Sequence, residues 1–259
     1  MYYFAAMNKT LFFSDLDSTL IYSGYPEHVC VEYNGTQEVT YMTSGGVDIL
    51  NYLTGRGDFV LIPCTLRSYE QTSRINFIKY GRASLVICDN GFSIYDNGVL
   101  DVTWDHMMNE YSSAYPTDEV NIAIENLVAK EDMRCRIKVN RSVFFTLIFD
   151  DAGSARKHYE AVSGVMKKYR YRLDLQGRKL YVIPDFLDKA LAVEYICRNL
   201  GPDRVITAGD SSVDKLFVEL GETRILPCHS LLEINDSIIT ESSGIQAGEE
   251  ILNAVRTML

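Results

Sequence analysis

Three short apolar segments of this chain each end in a polar cluster, and this pattern limits the folds that are open to it. The segments cover residues 10–14, 59–63 and 204–208, and the polar clusters follow them at Asp15, Cys64 and Gly209. Continuous apolar strands are typical of a parallel sheet that is buried on both faces. Helical segments alternate with these strands, as over 69–80 and 188–200, and Ser44 is the predicted N-cap of another helix over 45–55. We therefore predict an α/β fold with a doubly wound, Rossmann-like core built on a parallel sheet.

The middle of the chain has a different pattern, in which a helix and two strands occur twice in succession. The predicted elements are a helix over 117–130, strands over 133–139 and 143–149, a helix over 153–168, and strands over 169–175 and 178–183. Two such units form one mostly antiparallel sheet with helices on one face. We expect an inserted α+β domain at 102–183 and a discontinuous core at 1–101 and 184–259.

Charge is distributed unevenly along the sequence. The net charge of −10 argues against nucleic acid as a partner, yet residues 130–180 hold 13 of the 25 Lys and Arg and only 6 of the 35 Asp and Glu. Arg134 and Arg136 alternate with apolar residues in this window, which predicts a basic face on one strand. That face either meets an anionic ligand or is only solvated.

The spacing of cysteines and the hydropathy of the chain indicate where in the cell the protein is expected. Six cysteines form no CxxC pair, which favours reduced thiols and a cytoplasmic location. No apolar run approaches the ~18 residues of a membrane span, so we expect no membrane partner. Residues 1–13 have neither a basic start nor a long apolar segment, so no secretory signal is expected.

The carboxyl ends of parallel strands lie at one edge of a sheet, where α/β proteins place their sites. Asp15, Asp17, Thr65 and Asp210 all follow predicted strands and are expected to meet at this edge. Three carboxylates brought close together repel one another. A bound Mg²⁺ would remove that repulsion, because it is held by a few carboxylate oxygens together with waters and a phosphate.

Four segments in this order resemble the sequence motifs of the haloacid dehalogenase superfamily of phosphatases. They are Asp15-Leu16-Asp17-Ser18-Thr19-Leu20, Thr65, Lys189 and Gly209-Asp210-Ser211-Ser212-Val213-Asp214. The insertion between the second and third motifs is similar to the cap domain of the Cof-like and sucrose-phosphate phosphatase-like branch. Asn90-Gly91 also matches the pattern of that branch. Two departures are a longer segment at 20–44, which holds a predicted hairpin, and a fourth motif without the usual Asn-Asp pair.

The resemblance implies a role for each of these residues. Asp15 would be the nucleophile and Asp17 the general acid and base, while Lys189 and Thr65 would stabilise charge on the phosphoryl group. Mg²⁺ would be held by Asp15, Asp210 and the backbone carbonyl of Asp17, and Asp214 would orient Lys189 or metal-bound waters. Thr65, Arg67 and Asn90 of the core, with Arg134 and Arg136 of the cap, are the candidate substrate-binding residues. For Arg67, contact with substrate and exposure to solvent are equally open.

The implied function is a Mg²⁺-dependent phosphatase that hydrolyses a phosphomonoester of a small metabolite, a sugar phosphate being favoured, through an aspartyl phosphate. One alternative is a phosphomutase or phosphotransferase of the phosphomannomutase type, which passes the phosphoryl group to a sugar hydroxyl. Another is a non-catalytic sensor of a phosphorylated ligand, although a sensor has no need of Asp17. The sequence names neither the metabolite nor the oligomeric state.

Overall fold

A computed structural model describes residues 9–259, and the chain within it divides into two compact units. One unit comprises Asp188–Leu259 together with the described residues up to Asp101, and the other is Val102–Leu187. Residues 1–8 lie outside the described residues. They are most of the segment 1–13, in which no secretory signal is expected. None of the helices in residues 9–259 has the length and apolar character that crossing a bilayer requires.

Strands and helices alternate along the described chain. The strands are β1 Thr10–Ser14, β2 Val29–Asn34, β3 Gln37–Met42, β4 Phe59–Pro63, β5 Leu85–Cys88, β6 Ser93–Asp96, β7 Val99–Leu100, β8 Cys135–Asn140, β9 Phe144–Phe149, β10 Tyr171–Gln176, β11 Lys179–Pro184, β12 Arg204–Ala208, β13 Thr223–Leu226 and β14 Ser237–Ile239. The helices are α1 Ser44–Thr54, α2 Tyr69–Thr72, α3 Asn76–Lys79, α4 Val102–Ser112, α5 Thr117–Lys130, α6 Ala152–Met166, α7 Lys189–Leu200, α8 Lys215–Glu219 and α9 Ile245–Met258.

The larger unit is built on a five-stranded parallel sheet in the order β14-β13-β12-β1-β4. Leu11, Phe12 and Phe13 of β1 are fully buried, so both faces of this strand, which lies between β12 and β4, are covered. Phe12 joins an apolar cluster with residues of α1 and α9. In the register of the sheet, Ser14 pairs with both Ala208 and Pro63, so β1, β12 and β4 end at the same level. The residues that follow these three strands therefore start from one edge.

The smaller unit is a four-stranded antiparallel sheet in the order β10-β11-β9-β8. Its apolar face packs on α5 and α6, where Ile124 and Val162 meet Phe145, Leu147 and Leu180 in one buried cluster. The helix-strand-strand pattern occurs twice, as α5-β8-β9 and α6-β10-β11. The predicted fold class, a doubly wound parallel core with an α+β insertion, is confirmed.

Two local predictions for the core were wrong. The helix predicted over 69–80 is split into α2 and α3, because Ile75 adopts an extended conformation between them and forms an antiparallel bridge with Glu32 of β2. Helix α1 is capped by Thr43 rather than Ser44, since the Thr43 hydroxyl accepts a hydrogen bond from the Gly46 amide. Both differences arise where the β2-β3 hairpin meets the core.

Candidate active site

The first motif begins at the end of β1 and turns sharply. Asp15 is buried, and its amide donates to the Ala208 carbonyl at 2.9 Å, which extends the sheet by one residue. The next residues form a tight turn in which Leu20 and Ile21 donate to the Leu16 carbonyl. This turn keeps Asp15 inside the protein and places Asp17, whose side chain is 52% exposed, at the surface.

Lys189 connects the first motif to the fourth. Helix α7 is capped by Asp188, whose carboxylate accepts from the Ala190 amide at 2.9 Å, so Lys189 is the first residue of the helix. Its buried ammonium lies 2.7 Å from Asp15 Oδ1 and 2.6 Å from Asp214 Oδ1. Burial alone would lower the pKa of Lys189, but the two carboxylates outweigh burial and raise that pKa above its ordinary value. The ammonium is therefore held charged.

The loop after β12 closes around the Asp214 carboxylate. Asp214 Oδ2 accepts from the amides of Asp210 and Ser211, at 3.2 and 3.0 Å, and from the Ser211 hydroxyl at 2.8 Å. Gly209 makes this closure possible, because a Cβ at that position would lie 2.6 Å from the Cβ of Asp214. Both Asp214 oxygens are thus engaged, which fixes the position of the Lys189 ammonium.

Three carboxylates gather in this cluster and one cation faces them. Single oxygens of Asp15, Asp210 and Asp214 all lie within 4.8 Å of one another. Burial raises the pKa of Asp15 well above its ordinary value, and the Lys189 charge offsets only part of that rise. Burial, followed by the charge of Asp214, raises the pKa of Asp210 to about 7. When all three carboxylates are ionised, the cluster together with Lys189 carries a net charge of −2.

A divalent cation fits this donor set. Mg²⁺ binds a small number of carboxylate oxygens and keeps its remaining positions for water or phosphate. Because the Asp214 oxygens already accept from Lys189 and from the loop, Asp15 and Asp210 are the carboxylates that could hold the ion. Thr19 also reaches this group, since its hydroxyl lies 3.3 Å from Asp210 Oδ1.

Thr65 and Asn90 come from neighbouring loops at the same edge of the sheet. Thr65 is buried two residues after the end of β4, and its carbonyl accepts from the Asn90 amide at 3.0 Å. Gly91 has a φ of +95°, and a Cβ there would lie 2.5 Å from the Asp188 carbonyl oxygen. Asn90-Gly91 therefore packs between the Thr65 loop and the start of α7, a structural role in addition to any contact with substrate.

Asp17 and Arg67 form an ion pair. Arg67 Nε and one terminal nitrogen donate to the two oxygens of Asp17 at 2.7 and 2.6 Å, which is the bidentate geometry of a strong guanidinium–carboxylate pair. The structure therefore places the Asp17 side chain against Arg67, outside the carboxylate cluster that could hold a metal. The other end of Arg67 meets Glu32, a buried residue of β2 that the sequence reasoning missed.

Arg134 and Arg136 lie in the smaller unit. Arg136 belongs to β8 and is exposed, and Arg134 comes just before this strand. Both line a shallow cavity of about 410 Å³ together with Arg178, Asp150 and the neighbouring strand residues. Neighbouring Cys135 and Ile137 pack toward the helices, so the expected alternation of basic and apolar residues is present on β8.

The comparisons with known proteins rest on structure. The sequence matches no protein-family model, and it has no significant match among curated protein sequences. The chain is similar to the sucrose-phosphatase from Synechocystis sp. PCC6803, with a TM-score of 0.67 at 18% identity over 97% of this chain and 98% of that one.

Two further solved structures have the same architecture. One is a haloacid dehalogenase-like hydrolase from Bacteroides thetaiotaomicron, with a TM-score of 0.63 at 14% identity over 97% of this chain and 100% of that one. The other is the C-terminal domain of trehalose-6-phosphate phosphatase from C. albicans, with a TM-score of 0.62 at 14% identity over 97% and 94% of the two chains. The chain has the fold of the haloacid dehalogenase superfamily, as its motifs predicted. At these identities the likeness defines the fold and not the activity.

If Asp210 helps to hold Mg²⁺, its charge should destabilise the metal-free protein and be needed for the stabilisation that Mg²⁺ provides. Asp210→Asn removes one unit of the excess negative charge while preserving the shape of the side chain. In EDTA it should raise the melting temperature by about 2–4 °C, as expected for roughly 1 kcal/mol of relieved repulsion in a chain of this size. Wild-type protein should gain stability when Mg²⁺ is added, and the variant should not.

Thermal unfolding with and without Mg²⁺ checks this prediction. Asp48→Asn, on the exposed side of α1, is the matched control and should respond to Mg²⁺ as the wild type does. An Asp210→Asn variant that is less stable than wild type in EDTA and keeps the full Mg²⁺ effect would show that Asp210 is a structural residue and not a metal ligand.

Proposed function

We propose that the protein is a Mg²⁺-dependent phosphomonoesterase that acts on a small phosphorylated metabolite, with sugar phosphates as the favoured class. The observation that carries the proposal is the Asp15 carboxylate at the carboxyl edge of the sheet, paired through Oδ1 with the buried Lys189 ammonium and lying beside Asp210. A buried carboxylate with a fixed cation and an adjoining cation site is equipped to attack a phosphoryl group.

The reaction would proceed in two displacements. In the first, an oxygen of Asp15 forms a bond to phosphorus while the bond between phosphorus and the ester oxygen breaks. The electron pair goes to the ester oxygen, which takes a proton from the Asp17 carboxyl. In the second, Asp17 accepts a proton from water as that water attacks the aspartyl phosphate, which restores Asp15 and releases phosphate.

The surrounding residues would stabilise charge during both steps. Bound by Asp15, Asp210 and the Asp17 carbonyl, Mg²⁺ would offset the charge that otherwise keeps an anionic nucleophile from a phosphate dianion. Lys189 holds Asp15 in position and places a positive charge beside it, and Asp214 holds Lys189. Thr65 lies buried at the same edge and would donate its hydroxyl to a phosphoryl oxygen.

Selectivity would come from the smaller unit and from Arg67 and Asn90 of the core. We assign the role of a cap to the inserted domain, about residues 102–183, and propose that Arg134 and Arg136 attract the anionic substrate. The three similar structures named above include a sucrose-phosphatase and a trehalose-6-phosphate phosphatase, which favours a sugar phosphate. The free state of all six cysteines supports a reducing, cytoplasmic setting.

Asp15→Asn should abolish turnover while leaving the protein folded. The substitution is nearly isosteric and removes the nucleophilic oxygen, and loss of such a group typically costs about 10⁴-fold or more. Hydrolysis of para-nitrophenyl phosphate in Mg²⁺ and in EDTA is the measurement, with Asp48→Asn as the control that should retain activity. Activity of Asp15→Asn above about one per cent of wild type, or full wild-type activity in EDTA, would overturn the mechanism.

The basic cap residues make a separate prediction. Replacing Arg134 and Arg136 together with Ser should raise KM for a sugar phosphate by about threefold or more at low salt, with a smaller change in kcat. The effect should shrink as salt rises, since charges are screened beyond ~8–10 Å at physiological ionic strength. The control replaces Arg156 and Lys157, on the exposed side of α6, with Ser. This change removes the same amount of positive charge from the smaller unit. Equal KM values for the two double variants would mean that the Arg134 and Arg136 face is only solvated.

A further inference from the structure

The buried carboxylate of Glu32, which lies outside the catalytic cluster, contacts Arg67 of the Asp17–Arg67 pair. Glu32 lies on β2, and its side chain is fully buried. Its Oε2 accepts from Arg67 at 2.7 Å and from the Thr40 hydroxyl at 3.1 Å, and its Oε1 accepts from Arg74 at 3.1 Å. An ionised carboxylate is expensive to bury, so its placement here is a specific feature of the hairpin.

The backbone is shaped to bring these groups together. Glu32 forms an isolated antiparallel bridge with Ile75, at the point where the predicted helix divides into α2 and α3. Arg74 precedes this bridge, so its guanidinium faces the same carboxylate as Arg67. The hairpin thus supplies one anion to two arginines that come from the segment following the second motif.

Arg67 connects Glu32 to Asp17 through two different edges of its guanidinium. The edge formed by Nε and one terminal nitrogen holds both oxygens of Asp17, and the second terminal nitrogen donates to Glu32. A guanidinium is planar, and partners on two edges fix its position and its plane. The orientation of the exposed Asp17 carboxylate therefore depends on the buried Glu32.

We propose that Glu32 is a positioning residue for the acid–base step, which it serves by fixing Arg67 and through it the orientation of the Asp17 carboxyl. The inference rests on the proposed function, because it assigns Glu32 to the proton transfer made by Asp17. Glu32 itself touches no reacting atom. The hairpin at 20–44, which the sequence marked as a departure from the family pattern, thereby acquires a role in catalysis.

Two substrates with different leaving groups can distinguish a positioning role of Glu32 from a purely structural one. An alkyl phosphate such as a sugar phosphate releases an alkoxide, which needs a proton as the bond to phosphorus breaks. Para-nitrophenyl phosphate releases a stabilised phenolate that needs no proton at that moment. A displaced Asp17 therefore slows the first displacement of the alkyl ester selectively, and kcat/KM reports that displacement. A damaged Asp15 or a damaged metal site lowers kcat/KM for both esters.

Glu32→Gln is the direct test. The amide offers one acceptor oxygen where the carboxylate offers two, so one of the two arginines loses its acceptor, and the anchoring charge is lost as well. We expect kcat/KM for glucose 6-phosphate to fall about tenfold or more, and kcat/KM for para-nitrophenyl phosphate to fall less than about threefold.

The matched control is Glu38→Gln. Glu38 lies on β3 of the same hairpin and accepts from Tyr41, so this variant removes an equal charge from the hairpin without touching Arg67. It should leave the ratio of the two activities at the wild-type value. If Glu32→Gln does not fold, Glu32→Asp keeps the charge but is too short to reach both arginines, and its ratio is expected to fall in the same direction.

Two results would overturn the inference. Equal losses of kcat/KM on both esters, or no loss on either, in a folded Glu32 variant would make Glu32 a structural residue while leaving the phosphatase proposal intact. Wild-type protein that hydrolyses neither ester in Mg²⁺ would overturn the proposed function and this inference with it. In an Asp17→Asn background, Glu32→Gln should change the activity ratio no further, since the group it positions is absent.

Discussion

The site depends on one buried ammonium held between two carboxylates. Lys189 at the start of α7 joins Asp15 at the end of β1 to Asp214 in the loop after β12, with both distances below 2.8 Å. Removing the ammonium would leave these buried carboxylates without their cation, and breaking a buried ion pair in this way typically costs about 3–5 kcal/mol. The aligned ends of the strands, the Asp188 cap of α7 and the small Gly209 are all required to bring these three groups together.

The excess negative charge of the carboxylate cluster makes the site suited to a cation. Lys189 balances only one of the three clustered carboxylates, and burial holds the pKa of both Asp15 and Asp210 above the ordinary value for aspartate. A protein selected for stability alone would not gather these groups. A divalent cation would offset this excess negative charge, so the cost to the metal-free protein and the proposed activity have the same physical origin.

Much of the fold and part of the site could be predicted from sequence, because strand ends are visible in it. Asp15, Thr65 and Asp210 were found from the apolar runs that precede them, and the repeated helix-strand-strand pattern revealed the inserted domain. Glu32 could not be found in this way, since its partners Arg67 and Arg74 lie more than thirty residues along the chain and only the folded hairpin brings them together. The break between α2 and α3 was missed for the same reason, because a tertiary bridge to Ile75 overrides the local preference for helix.

The central claim is that the Asp15 carboxylate attacks phosphorus. Protein quenched during turnover of para-nitrophenyl phosphate in Mg²⁺ can be treated with borohydride, which reduces an acyl phosphate to an alcohol, and then digested and sequenced by mass spectrometry. The account predicts that residue 15 alone is converted from Asp to homoserine, and that the conversion is lost in EDTA. Turnover with residue 15 unmodified, or with the modification at another residue, would contradict it.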